Sequence, residues 1–308
     1  MANARALDKR RKSVRNIRKI TRTMELIATA RFKKAMDRAT AATSYTKRIT
    51  EVVASLAKSG AEVQHPLLEE RSATDNAALI VLTSNRGLCG GYNGNIIRET
   101  MRQFDSLSES YENVKLIVSG KRGITNLEFR NYSADETYTQ FEDEPLFEDV
   151  KPIADQLLDE FIAKRLDRLD VVYTKFISSS KQVAMVETLL PLGSVGNADD
   201  EEETGGIDAD FEFFPSAESI LEEVVPMSFR INLFKCFLDA AVSEQIARMV
   251  AMKSATENAD DMIRNLSMTY NRARQSQITG EIMEIIGGAE ALGDDEQPED
   301  LVPAGAEN

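Results

Sequence analysis

The chain has 308 residues, with 37 Lys and Arg against 51 Asp and Glu, which gives a formal net charge of -14. A hydrophobic content of 42% is enough for a folded core and excludes a disordered chain. The longest stretches without a charged residue, 87–97 and 188–198, have 11 residues each. A membrane-spanning helix needs roughly 20 apolar residues, so the sequence predicts no membrane span.

The charge is divided unevenly along the chain. Residues 1–58 contain 16 Lys and Arg but only 4 Asp and Glu, a net charge of +12, so the remaining residues carry -26. A basic segment joined to an acidic body indicates a partner with a negative surface. Acidic protein and nucleic acid are the two alternatives for that partner.

Residues 4–59 contain neither Pro nor Gly, and apolar residues recur in them at every seventh position. This spacing is typical of a coiled-coil helix, although Arg10, Arg31 and Arg38 interrupt the second stripe. A helix of about 55 residues is far longer than an ordinary globular helix, so it must pack along an equally long partner. The first stripe is Leu7, Val14, Thr21, Ala28, Ala35, Ala42, Ile49 and Leu56.

The middle of the chain changes period, because short apolar runs of strand type alternate with helical patterns. This alternation predicts a Rossmann-like open α/β domain over residues 75–214. The predicted strands are 77–83, 115–120, 170–176 and 182–192, with a possible edge strand at 211–214, and the predicted helices lie near 95–107 and 150–169. Residues 199–210 form an acidic loop without packing potential of its own.

A glycine-rich loop, residues 83–94, follows the first predicted strand. Glycines there let backbone N–H groups approach a phosphate, so the loop is a candidate nucleotide site. Its spacing matches neither a P-loop nor G-x-G-x-x-G, and a tight structural turn is the alternative. Lys121 and Arg122, with Arg86, are consistent with an anion site, although charges beside turns are common. The candidate residues of this loop are Arg86, Gly87, Gly90, Gly91, Tyr92 and Asn93.

The C-terminal part of the chain predicts a second long helix, over residues 216–288. Ser216 is a candidate N-cap, Pro226 is expected to kink the helix or restart it, and the pair Gly287-Gly288 is expected to end it. Its seam residues pair with those of segment 1–59 in a predicted antiparallel coiled coil. They are Met249, Met252, Thr256, Ala259, Ile263, Leu266, Tyr270 and Ala273.

The end of this helix is apolar on more than one face. A helix that is apolar around its circumference is normally enclosed by protein on all sides, which favours a socket supplied by another chain. The alternative is that this tip packs back on the α/β domain. The tip residues are Ile278, Ile282, Ile285 and Ile286, and the acidic segment 289–308 after them is predicted to be disordered.

The residues that usually carry catalysis or bind metals are scarce. His65 is the one histidine, and Cys89 and Cys236 lie far apart in sequence. Their spacing suits neither a metal site nor a nucleophilic triad, and two isolated cysteines favour a reducing cytosolic setting. The sequence therefore predicts no catalytic set, no metal and no cofactor.

Four segments together resemble the gamma subunits of F-type ATP synthases. They are ITRTMELIATARFKKA at 20–35, TSNRGLCGGYN at 83–93, ARMVAMKSATENA at 247–259 and YNRARQSQITGEI at 270–282. The resemblance implies a non-catalytic rotor in the central stalk of a proton-translocating enzyme. Such a rotor passes torque between the membrane c-ring and a hexamer of three alpha and three beta subunits, with the α/β domain at its foot beside epsilon.

The resemblance also implies positions that contact the alpha/beta ring. These are Lys9, Arg10, Arg11, Met24, Arg248, Arg274, Gln275, Thr279 and Glu284. It places segments 1–59 and 216–288 in the shaft, the loop around Gly90 in the foot, and the protein at the cytoplasmic side of a bacterial inner membrane. A Rossmann-like nucleotide-binding enzyme and a coiled-coil nucleic-acid binder are the alternative functions. The rotor itself requires neither nucleic acid nor a small-molecule substrate.

Overall fold

The computed structural model describes residues 4–58, 66–68, 75–141, 144–192 and 217–293, with backbone only for 42–58, 217–221 and 291–293. The chain forms two compact units, residues 1–22 with 254–308 and residues 23–253. The predictions for His65, loop 199–210, strand 211–214, Ser216 and tail 294–308 lie outside the described residues.

Five helices and five strands follow one another in the described residues. The elements are α1 (Ala4–Lys58), β1 (Asn76–Leu82), α2 (Tyr92–Ser110), β2 (Asn113–Ser119), α3 (Lys121–Phe129), β3 (Glu136–Tyr138), α4 (Phe147–Ile162), β4 (Arg168–Ser178), β5 (Lys181–Leu190) and α5 (Ala217–Gly293).

The strands form one sheet in the order β3-β2-β1-β4-β5. The first four strands are parallel, and β5 returns antiparallel to β4. Apolar residues follow Asn76 in β1, which lies at the centre, and all of them are buried. In the edge strand Lys181–Leu190, only the last two residues are buried. A mostly parallel sheet needs helices on both faces, and both faces are covered here.

The side chains of β1 alternate between the two hydrophobic cores. Ala78, Ile80 and Leu82 pack on one face with α4 and with the early part of α5. The intervening residues of β1 pack on the other face with α2 and α3. The prediction of a Rossmann-like open α/β domain combined with long terminal helices is confirmed.

Helix α1 has the predicted extent, but α5 differs from its prediction in two respects. It continues through Gly287-Gly288 to Gly293, because neither glycine takes the left-handed conformation of a helix C-cap. It also continues through Pro226, which costs a helix about 3 kcal/mol. Val225 and Phe229 on either side are fully buried, and their packing offsets that cost.

Two elements were not predicted, and one predicted helix was too long. The short α3 and the three-residue β3 lie between the predicted second strand and α4. The helix expected near 150–169 ends at Ile162, and the residues from Arg168 onward belong to β4.

Candidate functional site

The glycine-rich loop is held together by its own polar side chains. The amide nitrogen of Asn93 donates to the hydroxyl of Ser84 at 2.7 Å and to the sulfur of Cys89 at 3.2 Å. The backbone N–H of Ser84 donates to the Asn93 amide oxygen at 3.0 Å. These contacts connect the end of β1 to the start of α2 and give the loop a fixed shape.

Helix α5 binds this loop through a buried arginine. The Nη2 of Arg248 donates to the carbonyl of Arg86 at 3.3 Å, and its Nε donates to the carbonyl of Gly87 at 3.5 Å. The same guanidinium pairs with Glu244 at 2.5 Å on the preceding turn of α5. Only 8% of Arg248 is exposed, so these contacts with the loop and with Glu244 are made inside the chain.

Gly90 and Tyr92 bring the loop still closer to α5. Gly90 has a φ of +57°, and a Cβ there would lie 3.7 Å from the Cβ of Ala251. The hydroxyl of Tyr92 donates to the carbonyl of Ala240 at 3.2 Å, and burial raises the pKa of this phenol well above its usual value. A Cβ added at Gly91 would instead lie near the side chain of Asn95.

The turn after β2 is nested against the same loop. Gly120 has a φ of +102°, and a Cβ at this position would lie 2.2 Å from the carbonyl oxygen of Thr83. The hydroxyl of Thr83 donates to the carbonyl of Ser119 at 2.8 Å. Lys121 and Arg122 are both exposed. The guanidinium of Arg122 lies beside Gly87, because a Cβ added at Gly87 would be 3.2 Å from its Nη2.

Helix α5 occupies the position where a doubly wound sheet normally binds its ligand. That position is the crevice outside the carboxyl ends of the strands where the strand order reverses, here between β1 and β4. Arg248 closes it on the β1 side. On the β4 side the hydroxyl of Ser243 donates to the carbonyl of Thr174 at 3.1 Å. Of the two interpretations of the glycine-rich loop, the geometry supports the structural turn.

In the unit formed by residues 1–22 and 254–308, α1 and α5 run antiparallel. The hydroxyls of Thr21 and Thr256 share a buried hydrogen bond of 2.8 Å, and Arg18 pairs with Asp260 at 2.5 Å. Val14 is buried in the same stripe. Thr21 is the polar member of the predicted stripe. The sequence therefore predicted that Thr21 faces the partner helix, but not which residue it contacts.

Arg11 differs from the other predicted contact residues at this end of the chain. Its guanidinium carbon lies 4.6 Å from the centre of the Tyr270 ring, and its Nη2 pairs with Asp8 at 2.6 Å. Hydrogen bonds from Lys12 and Arg11 lower the pKa of Asp8. Arg11 therefore helps to join the two helices, whereas Lys9 and Arg10 are exposed.

The remaining predicted contact residues lie mainly on exposed surface. Met24 is half-buried, and none of the described side chains in 274–290 is buried. The predicted tip residues have exposed fractions of 43% for Ile278, 51% for Ile282, 72% for Ile285 and 48% for Ile286. The exposed positions predicted to contact the ring are Arg274, Gln275, Thr279 and Glu284.

Neither a metal site nor a membrane span is found where the structure describes the chain. Its His, Cys, Asp and Glu side chains form no group that could hold a metal ion, and both cysteines are buried free thiols. Among the described helices, none is both long enough and apolar enough to cross a bilayer.

Comparison with known proteins agrees with the fold. The sequence model of the ATP synthase family matches residues 3–292. An ATP synthase gamma chain from Rhodopirellula baltica is 66% identical over 95% of this chain and 99% of its own length. The chain belongs to the ATP synthase gamma chain family. A second family member, from Frankia casuarinae, is 40% identical over 92% of this chain and 96% of its own length.

Solved structures of distant proteins share the fold of this gamma-chain family member. A chain in the Euglena gracilis mitochondrial ATP synthase, in a structure containing OSCP, F1 and c-ring, has a TM-score of 0.65 at 20% identity. That match covers 98% of both chains. A chain of the rotor of the same enzyme has a TM-score of 0.61 at 17% identity, covering 89% of this chain and 98% of its own.

Proposed function

We propose that this protein is the rotor of the central stalk of an F-type ATP synthase. It transmits torque between the membrane c-ring and the hexamer of three alpha and three beta subunits, so that proton flow is coupled to ATP synthesis. The observation that carries the proposal is the 66% identity to an ATP synthase gamma chain over almost the whole length of both chains. The antiparallel pairing of α1 with α5 supplies the long element that a shaft requires.

The division of labour follows the elements. We assign segments 1–59 and 216–293 to the shaft, residues 75–214 to the foot beside epsilon and the c-ring, and 294–308 to an acidic tail. The second shaft segment ends at Gly293 rather than at the predicted residue 288, because α5 continues to that residue. Arg248 supports this assignment, because it binds the foot loop directly to a helix of the shaft.

We infer that the chain makes and breaks no bond itself. The crevice that serves nucleotides in doubly wound folds is filled by α5, which weighs against the alternative of a Rossmann-like enzyme. The alternative of a nucleic-acid binder receives no support from the site. Arg11 and Arg18, two of the basic residues that suggested it, are paired with acidic side chains of the chain.

The exposed surface suggests where the ring is contacted. Lys9 and Arg10 can meet acidic segments of beta. Arg274, Gln275, Thr279 and Glu284 stand exposed near the end of α5, and the isoleucines of the tip offer apolar surface to a bearing. Arg248 is enclosed by its own chain, so we assign to it an anchoring role, and its direct contact with the ring stays a prediction.

We place the protein at the cytoplasmic face of a bacterial plasma membrane, held there through its partners. The absence of a spanning helix among the described residues agrees with peripheral attachment. The strongly basic N-terminal segment and the acidic remainder give the chain two segments of opposite net charge for different partners.

Assembly with alpha and beta subunits tests the rotor. The full chain is co-expressed with both, and the purified complex is examined for subunit ratio and ATP hydrolysis. We expect one copy of this chain for every three beta subunits. Calorimetry of the isolated chain with ATP and NAD supplies the comparison. Failure to assemble, together with micromolar nucleotide binding, would replace the rotor by the enzyme.

A further inference from the structure

Helix α5 contains a stretch in which every residue is buried, Cys236–Ser243. Leu238 and Val242 pack against α1, while Cys236 and Ala240 pack against the sheet and α4. One carboxylate, Asp239, lies in the middle of this stretch and is only 5% exposed. A carboxylate that is removed from water on all sides needs partners, or it takes up a proton and becomes neutral.

The neighbours of Asp239 form a polar stripe along α5 that meets the β4–β5 hairpin. Lys235, Asp239 and Ser243 are spaced four residues apart, so they share one face of the helix. Ser243 on this face donates to the carbonyl of Thr174 in β4. Asp239 is therefore aligned with the polar side of the hairpin.

The hairpin brings both signs of charge to Asp239. Tyr173 of β4 donates its hydroxyl to the carboxylate of Glu187 of β5. Glu187 repels the charge of Asp239, whereas Lys175 of β4 and Lys235 of α5 attract it. The titratable thiol of Cys236 completes the surroundings, and burial raises its pKa well above the usual value.

We propose that the buried Asp239, one turn before the Ser243 that bonds to β4, makes the packing of α5 on the β4–β5 hairpin, its seat, dependent on protons. The seat is packed closely when Asp239 is protonated. A neutral carboxyl is not repelled by Glu187, and it can be buried without its hydration water. The seat is looser when Asp239 is ionised, because a buried carboxylate is then repelled by the carboxylate of Glu187. If the chain is the rotor, the stiffness of the joint between shaft helix and foot follows the pH.

The direction of the effect follows from the pKa. Burial, and then repulsion by Glu187, raises the pKa of Asp239 from 3.8 to about 6 against the attraction of the two lysines. A group with a raised pKa in the folded state stabilises that state at low pH. The stabilisation is complete below about pH 4 and is lost as the pH rises through 6.

Hydrogen exchange of the full-length chain tests the seat. Amide protection of residues 236–246 is measured between pH 4.5 and 7.5 and corrected for the intrinsic exchange rate. We expect protection in the wild type to fall about tenfold across this range. Asp239→Asn should stay within about twofold across the same range, because its side chain has no proton to lose. At pH 7.5 it should be better protected than the wild type.

Two further variants make the result decisive. Glu187→Gln keeps an acceptor for Tyr173 but removes the repelling charge, so the transition should move to lower pH. Asp261→Asn changes an exposed carboxylate of the same helix and should keep the wild-type transition. A wild type without a transition, or one that persists unchanged in both Asp239→Asn and Glu187→Gln, overturns the proposal. Either result leaves the rotor function untouched, because the seat lies within this chain.

Discussion

Two stretches of α5, 236–243 and 278–286, are rich in apolar residues on more than one face but differ in what surrounds them. Every residue of the first is buried, whereas every described side chain of the second is exposed. An apolar circumference predicts enclosure by protein, and it does not specify which chain supplies it. The first stretch is enclosed by its own chain, and for the exposed second stretch we propose enclosure by another chain.

Small residues explain how the first stretch is enclosed so tightly. Ala35 and Ala39 of α1 are both 4% exposed, and they let α1 approach Leu238 and Val242 closely. On the opposite side, Phe237 packs against Phe141, with ring centres 4.8 Å apart. Packing on several sides at once makes this stretch sensitive to the loss of volume.

The largest expected effect is therefore at Leu238, which is 1% exposed. Leu238→Ala removes buried methyl groups and leaves a cavity between α1 and α5, which should lower the free energy of unfolding by about 2–5 kcal/mol. Chemical denaturation of the isolated chain measures the change. Met268→Ala on the same helix, where the side chain is 64% exposed, is the control and should change it by less than about 0.5 kcal/mol. Equal effects of the two substitutions would contradict the comparison.

A smaller effect is expected at Arg248. Arg248→Gln removes the donors to the carbonyls of Arg86 and Gly87 and the ion pair with Glu244, which should cost about 1–3 kcal/mol. The same substitution at Arg264, where 76% of the side chain is exposed, is the matched control. Thermal unfolding of both variants shows whether the contacts of Arg248 with the loop stabilise the chain. An Arg248 variant that is as stable as the Arg264 variant would rule out this stabilisation.

The smallest effect on the isolated chain is expected at the tip. Ile285→Ala should leave the free energy of unfolding within about 0.5 kcal/mol of the wild type, since 72% of this residue is already exposed. In the assembled complex the same change should weaken association with alpha and beta, because we expect this apolar surface to be buried against them. Titration of the chain against the alpha and beta subunits measures this difference, and a loss of stability in the isolated chain would mean that the tip packs on its own chain.

The parts of the fold that the sequence predicts are those with a strong apolar period. The stripe through Val14 and Ala28 predicts α1, and the apolar run of β1 predicts the central strand. Strand β3 contains three residues, none of them buried, so no apolar run marks it. Helix α3 buries only Gly123 and Leu127, too few positions to show a helical period.

The sequence predicted the glycine-rich loop of the candidate site, but it did not predict which residues contact that loop. The glycines at 90 and 91 mark a tight turn, yet the sequence does not show that Arg248, about 160 residues later, binds it. Asp239 was missed for a related reason. A single Asp in a helix normally indicates the exposed face, and its burial results from elements that lie far away in sequence.

The α5 segment that fills the crevice between β1 and β4 acts as a tethered ligand. Because it is covalently part of the chain, dissociation does not dilute it, and its effective concentration at the crevice is far above that of a free metabolite. A small molecule at this crevice would compete with Arg248 and Ser243, which already bind the backbone on its two sides. Doubly wound folds that bind a diffusible cofactor hold it at this crevice, whereas in this protein the contacts made there hold a helix of the chain in place.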